Sequence, residues 1–355
     1  MKQKLLFTIT ALLFAITAWA QGPNESGTYY SAADGKKGAE LKTALCGIIT
    51  QNHTSNSYSS LWGYFETTDK RADGKVWDMY SSITNYTFGT DQDTGSGGGS
   101  ENSKFNREHS FPNSWFGGQT SHIAYADLFH LYPTDKYVNN RRGNNPFGET
   151  NGNTYKSSGN FSKLGTCTFQ GYTGTVFEPN DIYKGDFART YFYMVTRYEN
   201  EIPTWYTNYG TNAQKGEDTS KAVLATLDGN KYPGLAEWQL NMLMEWAKKD
   251  PVSSDKEVPR NTAVYGIQNN RNPFIDYPGL EEYIWGSYTD VAFSYDNYQT
   301  PTAIVGVQIY DNDSHIVRVY TIQGVMVKTA DTFSDAIQHL PRGLYIIDGK
   351  KFLVK

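Results

Sequence analysis

Glu108 and His109 stand side by side within Asn106, Arg107, Glu108, His109, Ser110, Phe111, Pro112, Asn113, Ser114, Trp115, Phe116 and Gly117. Metal-dependent phosphodiester hydrolysis needs a hard oxygen ligand for Mg²⁺ or Ca²⁺ and, separately, a neutral imidazole to take a proton from attacking water. The two side chains can divide those tasks. Neighbours on a regular strand point to opposite faces, so both reach one phosphate only where the chain bends or ends. Phe111 and Pro112 provide such an end. Taken alone, the pair reads more simply as a surface carboxylate beside a hydrogen-bonded histidine, and it lacks the second histidine of a helix-borne zinc protease motif.

A second stretch, Asp127 to Asn144, raises the odds of chemistry. It reads as an apolar helical or turn segment followed by a polar one. Asn139 lies 31 positions after Glu108, and its amide oxygen is a neutral hard ligand suited to Mg²⁺. Lys136, Arg141 and Arg142 add positive charge before the next acid, Glu149. Across residues 104–144 five basic side chains face three acidic ones, a local positive surface for phosphate. The whole chain supplies none, since its formal net charge is −5. His122 and His130 read as structural by default; His130 in particular sits in an apolar run before Pro133. Asp91 and Asp93, in a Gly-rich stretch from Asp91 to Ser103, read as a solvated mobile loop rather than a cation site.

The elements around these residues follow from composition and period. Residues 1–20 have a basic start at Lys2 and Lys4, an apolar run from Leu5 to Ile16 and the small-residue pattern Ala18, Trp19, Ala20 of a cleaved signal peptide. That run is too short to span a bilayer, and no later stretch is apolar enough, so no membrane span is expected in the mature protein. Aromatic residues at 15% exclude intrinsic disorder. Cys46 and Cys167 are compatible with a disulfide or with two buried thiols, and the sequence leaves both open. Helical spacing covers Glu40 to Thr50; later helices are expected with Asp186 as a cap, with Pro233 in a first turn, and with Ser254 and Glu257 as a capping box. Residues 21–290 form one mixed domain, 291–302 a linker, and 303–355 a β-rich module of short runs: Ala303 to Tyr310, Ile316 to Ile322, Val325 to Lys328, Leu344 to Ile347 and Phe352 to Val354.

The two chemistry-bearing segments resemble the endonuclease I family of secreted or periplasmic nucleases, within the ββα-metal, or His-Me finger, superfamily. Further matches follow in order: Glu178-Pro179, Lys184 to Arg189, Glu237-Trp238, Arg260-Asn261 and Asn270 to Ile275. The resemblance implies an α+β fold, with a ββα-metal core embedded in a largely helical domain, followed by a small all-β, sandwich-like domain. It implies Glu108 and Asn139 as ligands of one divalent cation, Mg²⁺ first and Ca²⁺ or Mn²⁺ as alternatives, and His109 as general base, with 5′-phosphate products. The family's phosphate-binding arginine matches Arg142 only loosely, because no arginine follows His109 at the family's usual spacing; Arg141 and Arg271 are further candidates. Arg189 and Arg271 also read as structural salt links. The run Val317 to Met326, with Leu340 to Ile347 and the basic end Lys350 to Lys355, resembles a type IX secretion sorting domain, which implies the secretion machinery as a partner. The expected protein is a secreted or cell-surface nuclease acting on DNA, RNA or both with little sequence preference. Two other readings remain: an aromatic-rich polymer- or glycan-binding module with a decayed site, and a phosphodiesterase for small substrates.

Overall fold

A computed structural model describes residues 22–95, 98–301, 317–321, 326–330, 333–338, 340–341, 343–347 and 350–354. The expected signal peptide and the run Ala303 to Tyr310 lie outside the described residues. The strands are β1 (Phe105–His109), β2 (Leu131–Asp135), β3 (Tyr155–Lys156), β4 (Lys163–Thr166), β5 (Thr175–Glu178), β6 (Val317–Thr321), β7 (Met326–Ala330), β8 (Gly343–Ile347) and β9 (Lys350–Val354). The helices are α1 (Gly38–Thr50), α2 (Leu61–Thr68), α3 (Lys136–Arg142), α4 (Lys184–Arg197), α5 (Ile202–Trp205), α6 (Glu217–Thr226), α7 (Glu237–Lys249), α8 (Glu257–Gln268), α9 (Pro273–Asp276), α10 (Leu280–Ile284) and α11 (Phe333–Ile337). The protein is an α+β structure, with no described helix long and apolar enough to cross a membrane.

Helix α4 is the axis of the large domain, and all fourteen of its residues are buried. A helix buried on every side must satisfy its polar residues internally. Asp186 pairs with Lys256, and Arg189 makes a two-bond pair with Glu257. Asp186 therefore lies inside the first turn and does not cap the helix, which begins two residues earlier at Lys184. In α1, Leu41, Leu45 and Ile49 face the core at the expected period. Pro233 precedes α7 rather than sitting in its first turn. The capping box expected from Ser254 and Glu257 does not form: Lys256 precedes α8 with no side-chain cap. Glu257, the first helical residue, is instead held by Ser253, whose Oγ accepts from its N at 3.2 Å and whose N donates to its carboxylate at 2.8 Å.

β1 and β2 form a two-stranded antiparallel sheet, with Glu108 opposite Tyr132 and His109 opposite Leu131. β2 is a correction to the helical or turn reading of Asp127 to Asn144. The segment holds a strand that carries Pro133, which a two-stranded sheet tolerates because both strands are edges. Its start is clamped by two buried groups. The Asp127 carboxylate accepts from Tyr193, Tyr198 and Gln268, and Arg260 donates to the carbonyls of Leu128 and Leu131 at 2.9 Å each. α3 follows directly, its first turn capped by Asp135, whose Oδ1 accepts from Val138 N at 2.9 Å.

In the C-terminal stretch, β6 to β9 form one antiparallel sheet in the order β7-β6-β8-β9. The module is not purely β among the described residues, because α11 lies between β7 and β8. Its apolar cluster, built around Val317, Val319, Ala336, Tyr345 and Ile347, is separate from the main core. Cys46 and Cys167 are free and buried.

Candidate active site

The β1–β2–α3 unit places the chemistry. β1 ends at His109, immediately before Ser110, Phe111 and Pro112 turn the chain away. Asn106 and Glu108 share one face of β1, while Arg107 and His109 share the other. α3 packs beside the strand. Asn139 and Arg142, three residues apart and so on neighbouring positions of the helix surface, both turn toward Glu108.

Glu108 is 4% exposed. Its Oε1 accepts from the Tyr80 hydroxyl at 2.8 Å and from Arg142 Nη1. Its Oε2 takes neither of those bonds and is not sealed from solvent, and the Asn139 side chain lies within hydrogen-bonding reach of the carboxylate. One carboxylate oxygen is thus clamped and the other open. Burial pushes the Glu108 carboxyl above its ordinary range, against the opposing pull of Arg142, Tyr80 and the Asn139 amide, which favour the ion. Asn139 is half-buried, and its Nδ2 donates to Asn106 Oδ1 at 2.8 Å, which leaves its own amide oxygen without a donor. The Glu108 carboxylate and the Asn139 side-chain amide, within hydrogen-bonding reach of each other, offer few, hard oxygen ligands. That set fits Mg²⁺, which keeps most of its water, better than it fits a metal requiring a full protein cage. No cluster of three or more His, Cys, Asp or Glu suited to a metal occurs among the described residues.

His109 is 6% exposed. Its Nε2 lies 2.9 Å from the carbonyl oxygen of Tyr125, and a carbonyl only accepts. Nε2 therefore carries the proton, and Nδ1 keeps a lone pair, met by the Asn113 amide at a long 3.3 Å. Tyr58 stacks on the ring at 5.6 Å and Tyr125 approaches it edge-on at 4.7 Å. Burial first, then neighbouring His130, hold the imidazole well below its ordinary value. It is a neutral, oriented imidazole.

The other candidates separate. Arg142 is fully buried, with Nη1 also donating to His109 O at 3.1 Å, Nη2 donating to Ser110 O at 2.6 Å, and its guanidinium over the Phe147 ring. Buried on all sides, it holds Glu108 and the end of β1. Arg271 is not brought to the site: it forms a two-bond pair with Asp276 and donates to Asn24 O. Arg141 is exposed and donates to the Tyr137 hydroxyl at 2.7 Å. His130 is fully buried, its Nε2 at 2.6 Å from Ala124 O, and His122 meets Glu201 at 2.7 Å; neither faces the open oxygen of Glu108.

Comparison with known proteins bears on the same residues. The family model for endonuclease I matches residues 37–279, most of the chain and every residue of this site. The chain belongs to the endonuclease I family. This endonuclease I chain is 35% identical over 280 residues to an extracellular ribonuclease of Bacillus subtilis (strain 168), covering 78% of the chain and 84% of that relative. It is also 35% identical over 263 residues to an extracellular ribonuclease of Bacillus amyloliquefaciens, covering 74% and 79%. In this endonuclease I site, sequence reasoning missed Tyr80, Asn113, Tyr125 and Tyr58. Asn113 had a faint signal, four positions after His109 and just past Pro112. Tyr125 acts through its backbone, so no residue type could have marked it.

Proposed function

We propose that this endonuclease I family member is an exported endonuclease, dependent on one divalent cation, that hydrolyses phosphodiester bonds in RNA, DNA or both and leaves 5′-phosphate ends. The observation that carries the reading is that one β1–β2–α3 unit carries the Glu108 carboxylate, the Asn139 amide beside it and, at the strand's end, a His109 imidazole of fixed tautomer. That arrangement supports a ββα-metal core. The extracellular ribonuclease names of the relatives support RNA as a substrate and export as the fate. The local positive charge at Arg107, Lys136 and Arg141 supports a polyanion over a neutral glycan.

In this reading Glu108 and Asn139 hold the cation, and when bound it stabilises the negative charge gathering on the phosphate and its departing 3′ oxygen. His109 Nδ1 takes a proton from water while Nε2 stays bonded to Tyr125 O, so the imidazolium that forms is stabilised by a carbonyl dipole. Arg142 and Tyr80 fix the carboxylate. Low sequence preference follows because phosphate, cation and basic residues see no base identity. Residues 303–355 serve as a secretion sorting module in this reading, outside catalysis.

Purified protein incubated with RNA, plasmid and an aryl phosphodiester, with Mg²⁺ or with chelator, tests it. Cleavage of nucleic acid that stops with chelator is expected; no cleavage of either polymer with any divalent metal overturns the proposal. Glu108→Ala is expected to raise the Mg²⁺ needed for half-maximal rate as well as lowering turnover. Wild-type activity at limiting Mg²⁺ would remove Glu108 from the ligand set.

A further inference from the structure

Arg107 shares the His109 face of β1 and is held rather than free. Its guanidinium lies 3.7 Å from the Tyr58 ring centroid and 4.4 Å from that of Trp62, and its Nη1 donates to the Tyr58 carbonyl at 2.7 Å. Tyr58 in turn stacks on the His109 imidazole with an interplanar angle of 18°. Trp62, Arg107, Tyr58 and His109 therefore form a continuous row that ends on the base. All but His109 are half-buried and so reach the surface.

The charge of Arg107 is unpaired in the fold. Arg142, Arg189, Arg260 and Arg271 each have a carboxylate, whereas Arg107 makes no ion pair among the described residues, and its buried Nε has no acceptor. Asp93, an acid within its electrostatic reach, is already paired with Lys136. An arginine fixed between two rings, with no anion of its own, is ready for a planar, charge-assisted contact to phosphate. Two residues along a strand span about 7 Å. That distance suits one nucleotide step of an extended strand.

We propose that Arg107 binds the phosphate adjacent to the scissile one, so that the site recognises an extended polynucleotide strand rather than an isolated phosphodiester. The proposal rests on the nuclease reading above. Arg107 is then a substrate-positioning residue and supplies the arginine that the sequence could not place after His109.

Short oligonucleotides in which one phosphate, on either side of a defined cleavage position, is replaced by a neutral methylphosphonate test this on the wild-type protein. Replacement on one side is expected to lower kcat/KM roughly tenfold. In Arg107→Gln the same replacement costs nothing further, and the slope of log kcat/KM against log salt is shallower by about one. Wild-type indifference to both neutral linkages, or an equal loss in wild type and Arg107→Gln, overturns the proposal. If Arg107→Gln does not fold, the wild-type comparison decides alone. If wild type cleaves no oligonucleotide with Mg²⁺, the nuclease reading itself has failed; if it cleaves all of them equally, only the role of Arg107 has.

Discussion

In the proposed mechanism His109 is the residue on which rate depends most directly. His109→Ala is expected to lower turnover on the order of a hundredfold or more while leaving the Mg²⁺ requirement in place, because the base is lost and the ligands stay. Unchanged turnover in a folded variant would reject the assignment. Since burial holds the imidazole below its ordinary 6.5, the neutral form persists through that pH and is lost only as pH falls through the lower folded value. A pH–rate profile should therefore keep full activity at pH 6.5; an acid limb centred there would contradict the buried base. Arg142 carries a different prediction. Arg142→Ala leaves the Glu108 carboxylate buried without its cation and should cost about 3–5 kcal/mol in urea unfolding. A loss below about 1 kcal/mol would show that the pair behaves as a solvated one. Glu108, His109 and Asn139 were singled out by residue type together with the resemblance to the family, and all three fall on the β1–β2–α3 unit. Arg142 was legible as an arginine close to Asn139 and not in its contacts, because its partners Glu108, Ser110 and Tyr191 lie 34, 32 and 49 positions away in the chain.

At the scale of elements, α3 depends on its cap. Asp135 holds the first turn through Val138 N, and its Oδ2 accepts from the Tyr86 hydroxyl at 2.6 Å and from Asn102 N at 2.7 Å. Asp135→Ala should cost on the order of 2 kcal/mol or more and, by loosening the helix that carries Asn139, raise the Mg²⁺ concentration for half-maximal rate. A variant that loses stability with no change in that concentration would separate the cap from the ligand. α1 and α7 were readable because a stripe of Leu, Ile, Met or Trp at helical period faces one core. Their boundaries were less so. α8 begins at Glu257 with Lys256 before it and no side-chain cap, so the spacing of Ser254 and Glu257 marked where the helix starts and not how it is capped. β2 escaped because five buried residues including a proline show no alternation.

The molecule as a whole carries buried charge whose cost varies with pH. Glu281 is buried, its Oε2 has no partner, and burial pushes its carboxyl from an ordinary 4.5 up to about 7. The folded form binds the proton more tightly than the unfolded one, so stability is full below pH 4.5 and declines as pH rises through about 7. Glu281→Gln should raise the melting temperature at pH 8.5, by a free-energy gain of at most about 3 kcal/mol, and give no gain at pH 4.5. Equal effects at the two pH values would show that Glu281 is ionised without penalty in the fold. Composition leads one to expect a large domain and a β-rich end; among the described residues the apolar cluster of Val317, Val319, Ala336, Tyr345 and Ile347 is distinct from the one that runs from Tyr30 to Phe293 and from the small one at Val76, Tyr86 and Phe105. What composition could not reveal is the source of the orientation of His109. Because its acceptor at position 125 is main-chain carbonyl, no exchange of that side chain deletes it. The tautomer of the base is a property of the chain path, and mutation erases it only by rerouting the backbone.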